Sequence, residues 1–347
     1  AMAYQQMRDA GAQYRKGAVP TAQPVFNSYE TQYDVGYDNP GYQQGGLRPP
    51  RSQQMLDDPT AGLGFLQDID GLFIQERIEF LEAFTGCDTK NVYHVTPIQK
   101  GALPDPTGQV SPEWIERFTR QANFYPLLKA KEESQCLERV FCPFFRSFEM
   151  DFKDGAGAVF FTLKRPYKCS INTPCFMCAP QELTLIDARG ELAARAREEF
   201  RCGWCCSRSF VAEGGGAAGG GVHGGGGGEY TRTSTSSTYE HQEYYRIRTS
   251  ECGTSRGHNV CAPSCFNASY DMDVYDASEL NVVARSANVW PGCNCAGATD
   301  RSNIVLRFPR DADPKRRAAL VAATMLVEFA HFEWRKDGGE GAGVMML

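Results

Sequence analysis

The stretch AALVAATMLVEFAHF, Ala318 to Phe332, decides how this chain folds. Only Ala318 to Val327 are free of charge, which makes about 15 Å of helix against a bilayer core of roughly 30 Å. Glu328 would add roughly 2.5–3.5 kcal/mol near a bilayer centre. The segment is apolar nearly all round, with small residues at Ala319, Ala322, Ala323 and Ala330. A helix buried inside a protein has that composition. The expectation is a helix that plugs a closed barrel rather than a transmembrane span. Ala318, Leu320, Val321, Met325, Glu328 and Phe332 are its candidate functional residues.

The barrel is read from what precedes it. Phe148-Glu149-Met150-Asp151-Phe152 alternates, Asp154-Gly155 turns, and Ala158 to Leu163 returns. Glu182 to Ile186 alternates, Arg189-Gly190 turns, and the return ends near Cys202. Asp271 to Tyr275 alternates, Ser278-Glu279 turns, and Val282 to Val289 returns. Serial hairpins with no helix between them build an antiparallel sheet, and many such strands close or sandwich. Leu63 to Asp70 reads as a short helix or turn. Leu72 to Phe84 fits both a helical and a strand period, and with Asn91 to Val95 a hairpin is the simpler reading. The fold class is mainly β, closed and antiparallel.

Two segments interrupt the series. Residues 100–135 read as an insertion broken by Pro104 and Pro106. Ser111-Pro112-Glu113 supplies an N-cap, a first-turn proline and an early acid. A helix from Pro112 to about Arg120 should carry Trp114, Ile115 and Phe118 on one side. Residues 213–240 hold a Gly/Ala run followed by Ser and Thr. No Gly-Lys-Ser/Thr follows it, so a phosphate-binding loop is excluded and a connecting loop is expected. Residues 1–62 are rich in Tyr, Gln, Pro and Gly and too poor in aliphatics to build a core. Asn39-Pro40-Gly41-Tyr42 is an NPxY turn of the kind that phosphotyrosine-binding-type domains accept, though such a motif arises by chance in such a tail. The expected division is a tail over 1–62, a barrel domain over 63–336, and a short tail over 337–347.

The net charge of −6 among 347 residues argues against nucleic acid as the main partner. No apolar run marks a secretory signal in the first 30 residues. An intracellular protein is therefore expected, and its 14 cysteines read as thiols, metal ligands or acylation sites rather than disulfides. None of the five histidines, His94, His223, His241, His258 and His331, is spaced to work with an acid or a serine. No enzyme is expected.

An ordered series of segments resembles the phospholipid scramblases. It runs through Ile69-Asp70, Gln75 to Glu79, Thr85 to Asn91, Leu163 to Cys169, Cys261 to Cys265 before Asp271 to Tyr275, and Phe308 to Asp311. It ends in Val327 to Glu333. The resemblance implies a tubby-like barrel of about twelve antiparallel strands around a C-terminal helix. It implies ATP-independent, bidirectional phospholipid movement between leaflets, on calcium demand. It places a calcium loop over Asp300, Ser302, Ile304, Leu306 and Asp311. Calcium wants six or more oxygens in a compact loop. Here Ser302 stands where the family has an acid, Arg301, Arg307 and Arg310 add positive charge, and Ile304 to Phe308 also reads as a plain strand, so weak or absent calcium binding is expected.

The family's acylated cysteine run maps onto Cys169, Cys175 and Cys178. Two or more acyl chains would anchor the domain to a membrane. Zinc on Cys175-x-x-Cys178 with Cys202-x-x-Cys205 or Cys261-x-x-x-Cys265 has workable spacing but is not expected, and buried reduced thiols are the plain alternative. The family's nuclear-import segment has one basic residue here, Arg285, and is not carried over. Two functions stay open: a scramblase at a phospholipid membrane, and a non-transporting barrel used as a structural or interaction module. In the second, protein partners would dock on the 1–62 tail and the 100–135 insertion. The expected location is the cytoplasmic face of the plasma membrane or a cytoplasmic or cytoskeletal assembly.

Overall fold

Alternating strands need a partner for their apolar faces, and here the faces close on themselves. In a computed structural model, twelve antiparallel strands form a closed barrel. The structure describes residues 61–77, 91–122, 126–135, 138, 146–168, 180–199, 207–215, 242–250, 254, 258–264, 266–290 and 302–333. The strands are β1 (Ile69–Arg77), β2 (Val92–Gln99), β3 (Leu128–Glu133), β4 (Phe148–Lys153), β5 (Val159–Arg165) and β6 (Glu182–Asp187). They continue as β7 (Leu192–Glu199), β8 (Ser207–Gly214), β9 (Glu243–Ser250), β10 (Ser269–Asp276), β11 (Val282–Val289) and β12 (Asn303–Arg307). Each strand pairs with its neighbours in sequence, and β1 closes the ring against β12. Gly71 makes that closure possible: a Cβ there would lie 2.1 Å from the Leu306 carbonyl oxygen.

The three hairpins read from alternation are β4–β5, β6–β7 and β10–β11. Helix α1 spans Pro112–Ala122 and helix α2 Pro314–Val327, and α2 continues as one π-turn over Glu328–Phe332. Asp313 caps α2 by accepting from the Arg316 amide at 2.8 Å, and Pro314 opens the helix with φ already set. Every residue from Arg317 to Phe332 is buried, so α2 fills the barrel as its composition requires. No described helix is long and apolar enough to cross a membrane.

Two boundaries move, and one surface is found covered. The insertion read over 100–135 ends before Leu128, because β3 is a strand of the wall. Its sequence, LKAKEE, buries Leu128, Ala130 and Glu132 in alternation, and a charge at an inward position disguises the period. Glu213 and Gly214 likewise belong to β8 rather than to the glycine loop; residues 216–240 of that loop lie outside the described residues, as do Ile78, Leu81 and Phe84. The apolar side of α1 is spent within the chain. Ile115 packs with Phe73, Ile98, Ala287, Val289 and Val305 on the outside of the barrel, with Trp114 and Phe118 alongside. That face is covered and does not await a protein partner.

Packing on both sides explains β12. Ile304 and Leu306 join the interior core while Val305 joins the patch under α1, so all five residues are buried.

Candidate functional site

The barrel has two unlike rims. Helix α2 begins at the rim where β1 starts: the Arg317 guanidinium donates to the Ile69 and Ala312 carbonyls at 2.8 Å and to that of Leu66 at 2.5 Å. This rim is the N-pole. The helix ends at the opposite rim, the C-pole, where the Arg208 guanidinium donates to the Ala330 carbonyl.

Along the walls the inward register is apolar until the C-pole and then turns ionic. Leu128 and Ala130 lead to Glu132; Phe161 and Leu163 lead to Arg165; Ala194 and Ala196 lead to Glu198; Ala212 and Phe210 lead back to Arg208. Arg146 closes on Glu132 with two bonds of 2.6 and 2.8 Å. Its second nitrogen also reaches Glu333, past the helix end, at 2.7 Å, and Asn91 Nδ2 donates to the same carboxylate at 3.2 Å. Arg165 donates to Gln181 at 2.9 Å, and Arg208 to Glu198 at 2.8 Å. Arg165 also lies over the rings of Phe148 and Phe329.

Burial here is deep enough to move titrations. Burial lowers Arg165 to about 10, with Glu333 opposing and Arg146 adding to the shift. Burial acts against Arg146 as well, but its bonds and charge contacts with Glu132 and Glu333 hold it above the ordinary arginine value. Burial raises Glu333 against the pull of Arg146. The cluster therefore works as a charge-compensated seal that ties the helix end to strands far away in sequence. No motif announces it, because its members lie up to 242 positions apart.

Outside the seal an open groove of about 870 Å³ runs over β3 to β6. Lys131, Lys164 and Arg165 line it together with Glu133, Glu149 and Glu182, around Phe148. Lys164 and Glu149 pair at 3.1 Å. Three cationic and three anionic side chains around one aromatic ring suit a ligand that carries both charges.

The structure does not bring the calcium-loop residues together. Asp300 lies outside the described residues. Ser302 is spent at the head of β12: its amide donates to Glu76 Oε2 at 2.9 Å, its hydroxyl accepts from Asn288 at 3.3 Å, and its carbonyl accepts from the Glu76 amide at 2.9 Å. Ile304 and Leu306 sit mid-strand, opposite Ile74 and Leu72 of β1. Asp311 is exposed in the turn before α2, at the other pole. A five-residue strand at roughly 3.3 Å per residue, on the order of 15 Å, separates it from Ser302. Among the described residues no three His, Cys, Asp or Glu side chains gather as a metal site.

Cys169, Cys175 and Cys178 lie outside the described residues, but the topology fixes where their segment is tethered. In this barrel the connections leaving β1, β3, β5, β7, β9 and β11 all begin and end at the C-pole. All 14 cysteines fall in those six connections. Cys87 is in the first, Cys136 and Cys142 in the second, and Cys169, Cys175 and Cys178 in the third. Cys202, Cys205 and Cys206 are in the fourth, Cys252, Cys261 and Cys265 in the fifth, and Cys293 and Cys295 in the sixth. Cys261 is described, and it is a free, exposed thiol. The helix residues Ala318, Leu320, Val321, Met325, Glu328 and Phe332 are all buried in the barrel.

Comparison with known proteins agrees with this order of elements. The family model described as Scramblase matches residues 50–210 and 235–334. Phospholipid scramblase 1 of Rattus norvegicus is 24% identical over 318 residues, which cover 92% of this chain and 76% of that protein. Phospholipid scramblase 2 of Bos taurus is 25% identical over 272 residues, 78% of this chain and 71% of that one. Phospholipid scramblase family member 5 of Homo sapiens is 23% identical over 300 residues, 85% and 86% respectively. No solved structure matches the chain. A family match through both the hairpin series and the buried helix leaves one assignment: the chain belongs to the scramblase family.

Proposed function

We propose that the chain moves phospholipids between leaflets, in both directions and without ATP, while seated on the membrane surface. The family match carries this reading. The barrel's construction says how such a protein would act. Its interior is filled by α2, so no lipid path runs through it. Its wall carries Lys129, Lys131, Glu133, Glu149, Asp151, Lys153 and Lys164 on the outward face. A membrane-spanning barrel has the reverse pattern, apolar outside and polar within. The groove over β3 to β6, with its paired charges, is the candidate surface for a zwitterionic headgroup. Such a function is transport rather than bond chemistry. Acyl chains on Cys169, Cys175 and Cys178 would hold the C-pole toward the bilayer.

Calcium demand is not part of this proposal. Ser302 has its polar groups engaged, and Asp311 stands at the other pole. The test uses the full chain in liposomes with fluorescent lipid on both leaflets, bleached from outside by an impermeant reductant. The expected result is faster loss of the inner-leaflet signal at the same rate with calcium or chelator. Protein bound to liposomes without any acceleration would overturn transport and favour the non-transporting module, which the filled interior and charged wall also suit.

A further inference from the structure

One C-pole connection is braced by its own side chains. Asn259 is buried between β9 and β10. Its Nδ2 donates to the Ser250 and Asp271 carbonyls at 2.7 and 2.8 Å, and its Oδ1 accepts from the Asp271 amide at 2.9 Å. Asn267 Nδ2 donates to the carbonyls of His258 at 2.8 Å and Val260 at 3.2 Å. Ser264 Oγ accepts from the amides of Phe266 and Asn267, and the Ser264 amide donates to the Asn267 carbonyl at 2.7 Å. Cys261 is held at φ +59°, a left-handed conformation that a non-glycine residue keeps only where its surroundings impose it.

This bracing holds apolar side chains in water. Phe266 is 91% exposed and Val260 57%. A loose loop would fold such groups back onto the protein; this one is pinned at both ends and across its middle. No charged residue stands between Asn259 and Phe266. Tyr167, 47% exposed, lies two positions past the end of β5 at the same pole.

We infer that the loop is a membrane-inserting tip, with Val260 and Phe266 entering the interfacial layer of a phospholipid bilayer and Tyr167 resting at headgroup depth. A protein partner fits the geometry less well. A stable protein interface covers roughly 800 Å² on each side, and two protruding side chains on a convex loop do not supply that patch. A bilayer takes isolated aromatic and aliphatic side chains without a complementary surface, and the tip carries no charge whose desolvation would oppose entry. The inference rests on the phospholipid reading of the family but not on transport, and the two fail separately.

The full chain is mixed with vesicles of phosphatidylcholine and phosphatidylserine and its partitioning measured by flotation. The paired substitutions Val260→Ser and Phe266→Ser should lower the partition coefficient roughly tenfold or more, since they remove most of the apolar area that would leave water. Leu280→Ser, at an 83% exposed leucine in the N-pole turn, should leave it unchanged. Asn259→Ala should weaken binding severalfold with both apolar side chains intact. As a check independent of Asn259, Phe266→Trp should be quenched by brominated phosphatidylcholine and Leu280→Trp should not. Equal partitioning of wild type and the double serine variant, equal quenching at both tryptophans, or a wild-type chain that ignores vesicles and self-associates through this loop would each overturn the inference. Vesicle binding that depends on Phe266 while lipid movement is absent supports the tip and counts against transport alone.

Discussion

The two poles of this barrel are closed by different means. At the N-pole each tight turn is made by the residue that opens it. Asp154 accepts from the amides of Ala156 and Ala158, Asp187 from those of Arg189 and Glu191, and Asp276 from the hydroxyl of Ser278. These are short-range turns that an aspartate makes with the chain just ahead of it. At the C-pole the closing contacts are ion pairs between separate elements: β3 to the segment before β4, β7 to β8, and, across 187 positions, that segment to the end of the helix. The tight turns of the N-pole are thus set residue by residue, with Arg317 adding a long-range tie to the start of β1, whereas the ionic seal of the C-pole needs separate elements brought together. The C-pole also carries the cysteine-bearing connections, the mixed-charge groove and the exposed aromatic residues, so it is the end placed to meet other molecules.

The sharpest way to break that contrast is to unbalance the C-pole. Glu132 is fully buried and Arg146 nearly so. Glu132→Ala would leave the guanidinium in the barrel mouth without its main counter-charge, and should cost about 3–5 kcal/mol in urea unfolding. Replacing both partners, Glu132→Met with Arg146→Leu, should recover most of that loss, because two apolar groups need no compensation. A loss below about 1 kcal/mol for the single variant would mean that the C-pole is not sealed by this cluster.

The same contrast explains what could be read in the sequence. The hairpins β4–β5, β6–β7 and β10–β11 were legible because alternation and an Asp-led or Gly-containing turn sit together within about twenty residues. The buried helix was legible because Ala318 to Val327 is too short for a bilayer and too apolar for a surface. Strand β3 was not, since Glu132 occupies an inward position that is tolerable only with Arg146, fourteen residues on. Ile304 to Phe308 reads both as a plain strand and as part of a loop that offers carbonyls to a cation, and the structure puts Ile304 to Arg307 in strand β12. Only the closure against β1 and the patch under α1 decide between them. The charge seal and the asparagine-braced loop leave no trace in local pattern, because each is a meeting of elements and not a motif.

The N-pole predicts a smaller and more local effect. Asp313→Ala removes the cap of α2 and should cost about 1 kcal/mol, far less than breaking the C-pole seal. Most of the helix's stability comes from burial along its length, which the cap does not touch. A loss as large as that of Glu132→Ala would mean that the helix enters the barrel only when its first turn is fixed, and the two poles would then not differ as argued.

The last effect is a pH dependence, absent at neutral pH. His94 on β2 is held down to about 4 by burial, with Arg77 and Lys129 adding to the shift. Between about 6.5 and 4 the unfolded chain binds this proton and the folded chain does not. The His94 contribution therefore lowers stability as pH falls through that window and is absent above it. Glu333 works in the opposite direction. Burial raises its carboxyl, so its ionised form is penalised in the fold and acidification relieves that penalty. Unfolding free energies at pH 7, 5.5 and 4 for wild type and His94→Gln isolate the His94 contribution. The variant should lose less stability than wild type on acidification, because the His94 contribution is gone. If His94→Gln follows the wild-type profile at all three values, the imidazole is not excluded from protonation at its place beside Arg77 and Lys129, and acid sensitivity at this pole belongs to the carboxylates alone.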